Sequence, residues 1–282
     1  MNAADAPLRL RPFARLGVVV AWGLKRSVRS RKFVITALLA VGGVGLLSWL
    51  IGTHSTDRVF DFWTALDTSF LGVGLPLIAL ALVAGGFGEE VQDQTLVYLL
   101  VRPVSRTTAF VGRYAGGALA GAFVGAAMAT VATLVSPARV GMGTVLAIAA
   151  IAGLGVATIG ALYYALAALF RRGLVAGLIY TFVIEGLFQG IPGSTRKLSI
   201  VHHVRSLFHD ATDDAFVPLS GSVAQAVRDA ADASRPAMRG LGSAVEPWTS
   251  APVALVVCAC VIAGALLVGC SVIRRRDFAL KD

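Results

Sequence analysis

Several chemistries are missing from this sequence. It has no GxxxxGK[ST] run, so the chain does not bind ATP through a P-loop of its own. GxSxG, HExxH and an EF-hand loop are absent too, which removes the usual signatures of serine hydrolysis, zinc proteolysis and calcium binding. Cysteine numbers three, too few for a disulfide framework, and Cys258, Cys260 and Cys270 sit in one apolar run where the thiol behaves as a small hydrophobe. Charge is scarce: 15% of residues are Asp, Glu, Lys or Arg, against about 25% in soluble domains. Hydrophobic residues fill 56% of the chain, so this balance points to the bilayer.

A helix that crosses a bilayer needs about 20 mostly apolar residues. Six stretches of the 282-residue chain meet that length: Phe33 to Gly52, Phe70 to Gly88, Tyr114 to Val135, Met142 to Phe170, Gly173 to Ile191, and Ala251 to Ile273. The expected fold is an all-α integral membrane protein organised as one transmembrane domain over residues 1–282. It divides into a cytoplasmic tail with an interfacial helix (1–32), five spans (33–191), an extracytoplasmic loop (192–250), a sixth span (251–273) and a second tail (274–282).

Lysine and arginine set the orientation. Placing both termini in the cytoplasm puts 17 of the 25 basic residues inside. These include the cluster before the first span, Arg171-Arg172 between spans four and five, and Arg274-Arg275-Arg276 after span six. Most of the remainder lie in the one long loop, where the rule carries least weight. The formal net charge of +9 is therefore a topology signal in the cytoplasmic (inner) membrane and no sign of nucleic-acid binding. No cleavable signal peptide is read: the short run Leu16 to Leu24 is followed by LysArgSerValArgSerArgLys in place of small residues. Phe13 to Arg31 instead patterns as an amphipathic helix on the inner surface.

Within the spans, Gly117, Gly121 and Gly125 form a small-residue ridge at every fourth position, suited to close helix contact in a bundle or across a dimer seam. Glu185 is the one acidic residue deep in a span. Two readings stand beside each other: a cavity-lining or gating group, and an interfacial carboxylate paired with Arg196 or Lys197. Gly186, Gly190 and Pro192 would loosen the helix end beside it. The long loop carries His202, His203, His209, Asp213 and Asp214 without the tight spacing of zinc pairs, so its histidines read as solvated or interfacial and no metal is expected. A second amphipathic helix is expected around Val223 to Ala231.

The densest polar device is GGFGEEVQDQTLVYLLVRPVSR, Gly85 to Arg106. Glu89, Glu90 and Asp93 stand where span two leaves the membrane, a short greasy helix follows, and Arg102-Pro103 stops it. Ser105 fits an N-cap for span three. This stretch, extended to Arg113, resembles the first cytoplasmic loop of ABC-2-type transporter permeases. The acidic pair matches Glu89-Glu90, the Thr-Leu step matches Thr95-Leu96, and the turn matches Arg102 to Arg106; Gln94 stands where the family usually has glycine.

The resemblance implies a permease subunit of an ATP-binding cassette exporter that is not itself an enzyme. ATP and magnesium would be bound by a separate P-loop ATPase, and two permease copies would form the pathway. Glu89, Glu90, Asp93, Thr95, Leu96, Arg102, Pro103 and Arg106 would form the coupling helix and its flanks. Two other classes fit the apolar spans: a polytopic scaffold for envelope assembly, and an ion-coupled carrier using Glu185.

Overall fold

A computed structural model of the chain describes residues 12–54, 62, 66–85, 105–136, 140–170, 172–190, 197–216 and 249–275. The described residues are almost wholly helical, and no strand occurs among them. Helix α1 is Pro12–Val28 and α2 is Arg31–His54. Ser30 starts α2 as its cap, accepting the Phe33 N–H at 3.2 Å. The α1–α2 pair bends by 64° at this junction.

Helix α3 is composite: π-helical Leu66–Gly74, α-helical Leu75–Ala79 with Pro76 in its first turn, and π-helical Leu80–Ala84 follow one another without a gap. Helix α4 is Arg106–Val135, with the Ser105 hydroxyl accepting the Thr108 N–H at 3.1 Å, the cap its sequence announces. Helix α5 is Met142–Leu169, unbroken. Helix α6 again joins three pieces, Gly173–Ile179, the π-helical Tyr180–Glu185, and Gly186–Gly190. Helices α7, Ile200–Phe216, and α8, Ala251–Arg275, follow and are the last among the described residues.

The described part of each of the six apolar stretches falls largely on a helix. By length and apolarity alone, α4, α5 and α8 can cross a membrane, and the bent α1–α2 pair can supply a fourth crossing. Helices α3 and α6 are shorter apolar helices by that measure, each assembled from brief α- and π-helical pieces. The chain is a membrane protein on these helices.

Helix α4 packs against α1, α2, α3, α5 and α8. Its glycines are what let it do so. A Cβ on Gly121 would lie 2.8 Å from Val156 Cγ1, and one on Gly125 2.9 Å from Val156 Cγ2, so α5 sits directly on the ridge. Gly117 faces the backbone of Leu82 and Val83 in α3. Two further glycines on another face of α4 receive α1. A Cβ on Gly112 would meet Val19 Cβ at 2.9 Å, and one on Gly116 would come within 2.7 Å of the Leu24 backbone nitrogen. So the ridge serves contacts inside one chain, and α1 is docked on protein.

Hydroxyls fasten the same core. Tyr114 donates to the Ala157 carbonyl at 2.9 Å, and Tyr164 donates to the Phe110 carbonyl at 3.2 Å. The Phe110 and Tyr164 rings lie 4.6 Å apart.

Residues 200–216 depart from the expected solvated loop. Ile200, Val201, Val204, Leu207 and Phe208 are buried, and α7 packs against α5 and α8 and touches the start of α3. The reason is periodic: these apolar residues recur at helical spacing on one face, and burying that face outweighs solvating the intervening polar groups. The helix expected at Val223 to Ala231 lies outside the described residues.

Replacing Gly116 by alanine forces the α1 and α4 backbones apart. Thermal unfolding of the purified chain is expected to report a loss of about 1–3 kcal/mol, the usual penalty of overpacking. Gly264→Ala is the control, because nothing lies within 4 Å of a Cβ there; equal melting of the two variants would remove the close-approach account.

Candidate functional site

The chemistry-bearing groups collect at the two ends of the bundle. One end holds the α1–α2 junction, the C-terminus of α3 and the N-terminus of α4. The coupling-loop residues Glu89, Glu90, Asp93, Thr95, Leu96, Arg102 and Pro103 all lie outside the described residues. Their two attachment points are described: α3 runs to Gly85, and α4 begins at Arg106 behind the Ser105 cap.

Arg113 stands about two helical turns further along α4. It is 5% exposed, its Nη1 donates to the Gly23 carbonyl of α1 at 3.3 Å, and its guanidinium lies 5.4 Å from the centre of the Trp22 ring. Arg26 lies at the same distance from that ring. A planar cation on an aromatic face keeps its charge while shedding water. The first turns of α4 are thus tied to α1 by a polar contact as well as by the glycine seam.

The opposite end is built around Glu185. The side chain is 2% exposed. A buried carboxylate is costly unless each lone pair finds a donor. Here Tyr180 donates its hydroxyl to Oε1 at 2.9 Å, the Ile200 N–H donates to the same oxygen at 3.0 Å, and Ser199 donates to Oε2. Ser199 in turn accepts the His202 N–H at 3.1 Å, so it is the N-cap of α7. The carboxylate thus sits at the positive end of a helix dipole, where an anion is stabilised. Glu185 joins α6 to the first turn of α7. Neither of the two readings open from sequence, gating or interfacial, named these partners, and Arg196 lies outside the described residues.

The π-helical turn Tyr180–Glu185 sets the geometry. It places Tyr180, five residues back, within bonding reach of Glu185. Such turns recur at functional sites. Behind it, Tyr163 of α5 pairs with Thr181, and the Tyr163 and Tyr180 rings stand edge to face 6.3 Å apart.

Further along α7, Arg205 Nε lies 3.3 Å from Asp67 Oδ1 of α3, and its Nη2 donates to the Asp67 carbonyl at 3.2 Å. His209 Nε2 approaches the same carboxylate at 3.8 Å. On the other flank, His202 Nε2 lies 3.3 Å from Thr249 Oγ1, and the Thr249 N–H donates to Ser206 at 3.2 Å. His203 Nε2 is 2.9 Å from the Lys197 carbonyl, an acceptor only, so this nitrogen carries the proton. His202 and His203 are accordingly buried bonding groups, which corrects the solvated reading. No cluster able to hold a metal ion occurs among the described residues.

Sequence reasoning missed Asp67, Tyr180, Ser199 and Arg205. The signal for Ser199 was present: a serine directly before the periodic run IVHHVRSLF is an N-cap pattern. Asp67 and Arg205 are 138 positions apart, and no local pattern joins them.

Between the ends lies an open apolar groove of about 540 Å³ between α2, α3 and α6, with Leu39, Leu77, Val175 and Leu178 exposed along it. Leu39, Leu77, Ile78, Met128, Val175 and Leu178 line it. Its size falls in the range of small-molecule sites.

Substituting Glu185 by alanine leaves Ser199, Tyr180 and the Ile200 N–H without their acceptor. The expected cost is roughly 1–3 kcal/mol, accompanied by faster amide exchange in the first turn of α7; unchanged exchange at Ile200 would show that the carboxylate does not hold the helix. Glu185→Gln keeps the shape and should retain more than half of that protection.

A family model described as ABC-2 family transporter protein matches residues 24–187, more than half of the chain. No curated protein matches.

Proposed function

Because the chain belongs to the ABC-2 family of transporter proteins, and so is a membrane component of such a transporter with no catalytic role there, we propose that it forms the pathway of an exporter driven by a separate P-loop ATPase. In this reading six helices cross the cytoplasmic membrane with both termini inside, and two copies build the pathway. Glu89, Glu90, Asp93, Thr95, Leu96, Arg102, Pro103 and Arg106 form the device on which the ATPase pushes.

The position of α4 carries the proposal. Its capped N-terminus receives the segment from α3, and its glycines hold α1, α3 and α5 at backbone distance. A rigid 30-residue helix so placed turns a displacement at Arg106 into movement of the bundle. At the far end, Glu185 and the Asp67–Arg205 pair make α7 move with α6 and α3, which is how a push at one end reaches the other. The apolar groove between α2, α3 and α6 suits a hydrophobic cargo; its chemistry fits lipids, peptides and hydrophobic drugs alike.

Alanine at Glu89, Glu90 and Arg102 together is expected to abolish co-purification with the cognate ATPase and the permease's effect on its ATP hydrolysis. If both persist unchanged, the docking reading is lost. Orientation has its own test. In a chain with Cys258, Cys260 and Cys270 replaced by alanine, a membrane-impermeant maleimide on intact cells should label Ser220→Cys and spare Arg172→Cys until the cells are opened. The reverse pattern would invert the topology.

A further inference from the structure

Asp67, Arg205 and His209 meet where the start of α3 lies against the middle of α7. Arg205 and His209 are four positions apart, so they share one face of α7. Arg205 Nε lies 3.3 Å and His209 Nε2 lies 3.8 Å from the same atom, Asp67 Oδ1. That oxygen is buried, yet it accepts no aligned hydrogen bond among the described residues. The arginine is anchored beside it: Nη2 donates to the Asp67 carbonyl at 3.2 Å, and a Cβ on Gly72 would crowd that nitrogen at 3.1 Å.

A carboxylate oxygen held from water without a donor is costly. His209 can bring it a second charged donor, because imidazole changes charge between about pH 5 and pH 8. The ring is 28% exposed and the carboxylate 23%, so protons reach both from solvent. At 3.8 Å the contact is longer than a hydrogen bond, and a slight approach of α7 to α3 would close it.

The other charges around His209 set the sign. Asp67 favours a proton on the ring, and Arg205 opposes one. Asp210 is the next residue and turns about 100° away along the helix. Glu185 and Lys197 stand at the N-terminal end of α7, and His202 is bonded to Thr249. Helix α5 carries no charged residue, and Arg274 and Arg275 of α8 lie at its far end. Asp213 is one turn beyond His209 on α7, with its side chain outside the described ones.

We propose that these three residues form an acid-tightened clasp, in which a proton on His209 completes the pairing of Asp67 and holds the start of α3 more firmly to α7. The added contact is present in mild acid and fades as the ring loses its proton; below about pH 4 Asp67 itself is neutralised and the contact goes. Leu77 and Ile78 of α3 line the apolar groove, so the clasp acts on a helix that forms a groove wall. In the topology proposed above, the clasp faces the outside and reads the acidity there. The clasp itself does not depend on that topology.

The test is hydrogen exchange by mass spectrometry on the full chain in a neutral detergent, at about pH 5.5 and about pH 7.5. Rates are corrected for the intrinsic pH dependence of exchange, and α5 is the internal reference. Peptides covering Leu66 to Gly74 and Val204 to Thr212 should gain about two- to fivefold protection in acid, the range of a partly exposed ion pair. His209→Gln should remove this gain and keep the protection seen at the higher pH. Asp67→Asn should remove it and lower protection at both, because Arg205 loses that carboxylate as well. Asp213→Asn should keep the gain. A wild-type chain with no acid gain, a gain that survives His209→Gln or Asp67→Asn, or a gain abolished by Asp213→Asn overturns the proposal. Loosening in acid overturns it too, because the titrating group is then buried His202 or His203.

Discussion

Helices in lipid gain nothing from exchanging one hydrocarbon neighbour for another, so their association rests on close packing and on polar contacts that lipid cannot supply. In this chain both conditions meet on α4. Its glycines remove the side chains that would hold α1, α3 and α5 away, and the backbones come into contact. Dispersion between closely packed atoms is small for each pair and large in sum, and it fades quickly with a gap. That is why the seam is written in glycine. It is also why the remaining apolar side chains of α2, α6 and α8 can face lipid without weakening the bundle.

The polar contacts are not spread evenly. They sit at the two ends, where helices are joined to one another and where unpaired helix-terminal groups must be satisfied. At one end Arg113 ties α4 to α1 through the Gly23 carbonyl. At the other, Glu185 satisfies the first turn of α7, and Asp67 holds its middle. Between them the packing is apolar and featureless to a charge. The polar contacts thus fasten the bundle at its two ends, and apolar packing joins them.

Helix α7 shows what this costs. Burying His202, His203, Ser206 and Thr212 would be unfavourable if any of them lacked a partner. Each has one. His202 is matched to Thr249, His203 to the Lys197 carbonyl, Ser206 to the His202 carbonyl and Thr212 to the Phe208 carbonyl. The helix is thus a fitted part of the bundle, fastened separately to α3, α6 and the start of α8.

Much of this was legible in the sequence because it depends on local composition. Apolar runs place the helices, Ser105 announces the start of α4, and the spacing of Gly117, Gly121 and Gly125 marks a face that must meet something closely. The acidic pair and the Arg-Pro turn point to a family because they are contiguous. What a sequence cannot state is which distant group completes a local one. Glu185 was visible as an anomaly, yet its partners Ser199 and Ile200 come from the next helix. Nothing in the sequence sets Gly112 and Gly116 apart from other glycines, and only the fold lays α1 against them. The histidines of α7 read as solvated or interfacial because a short polar-rich helix is soluble by composition, and only its insertion against α5 and α8 buries His202 and His203. Period and composition decide that a helix forms and which face is apolar; the free energy of satisfying a buried charge is set across the bundle, so tertiary structure alone decided where Glu185 and α7 belong.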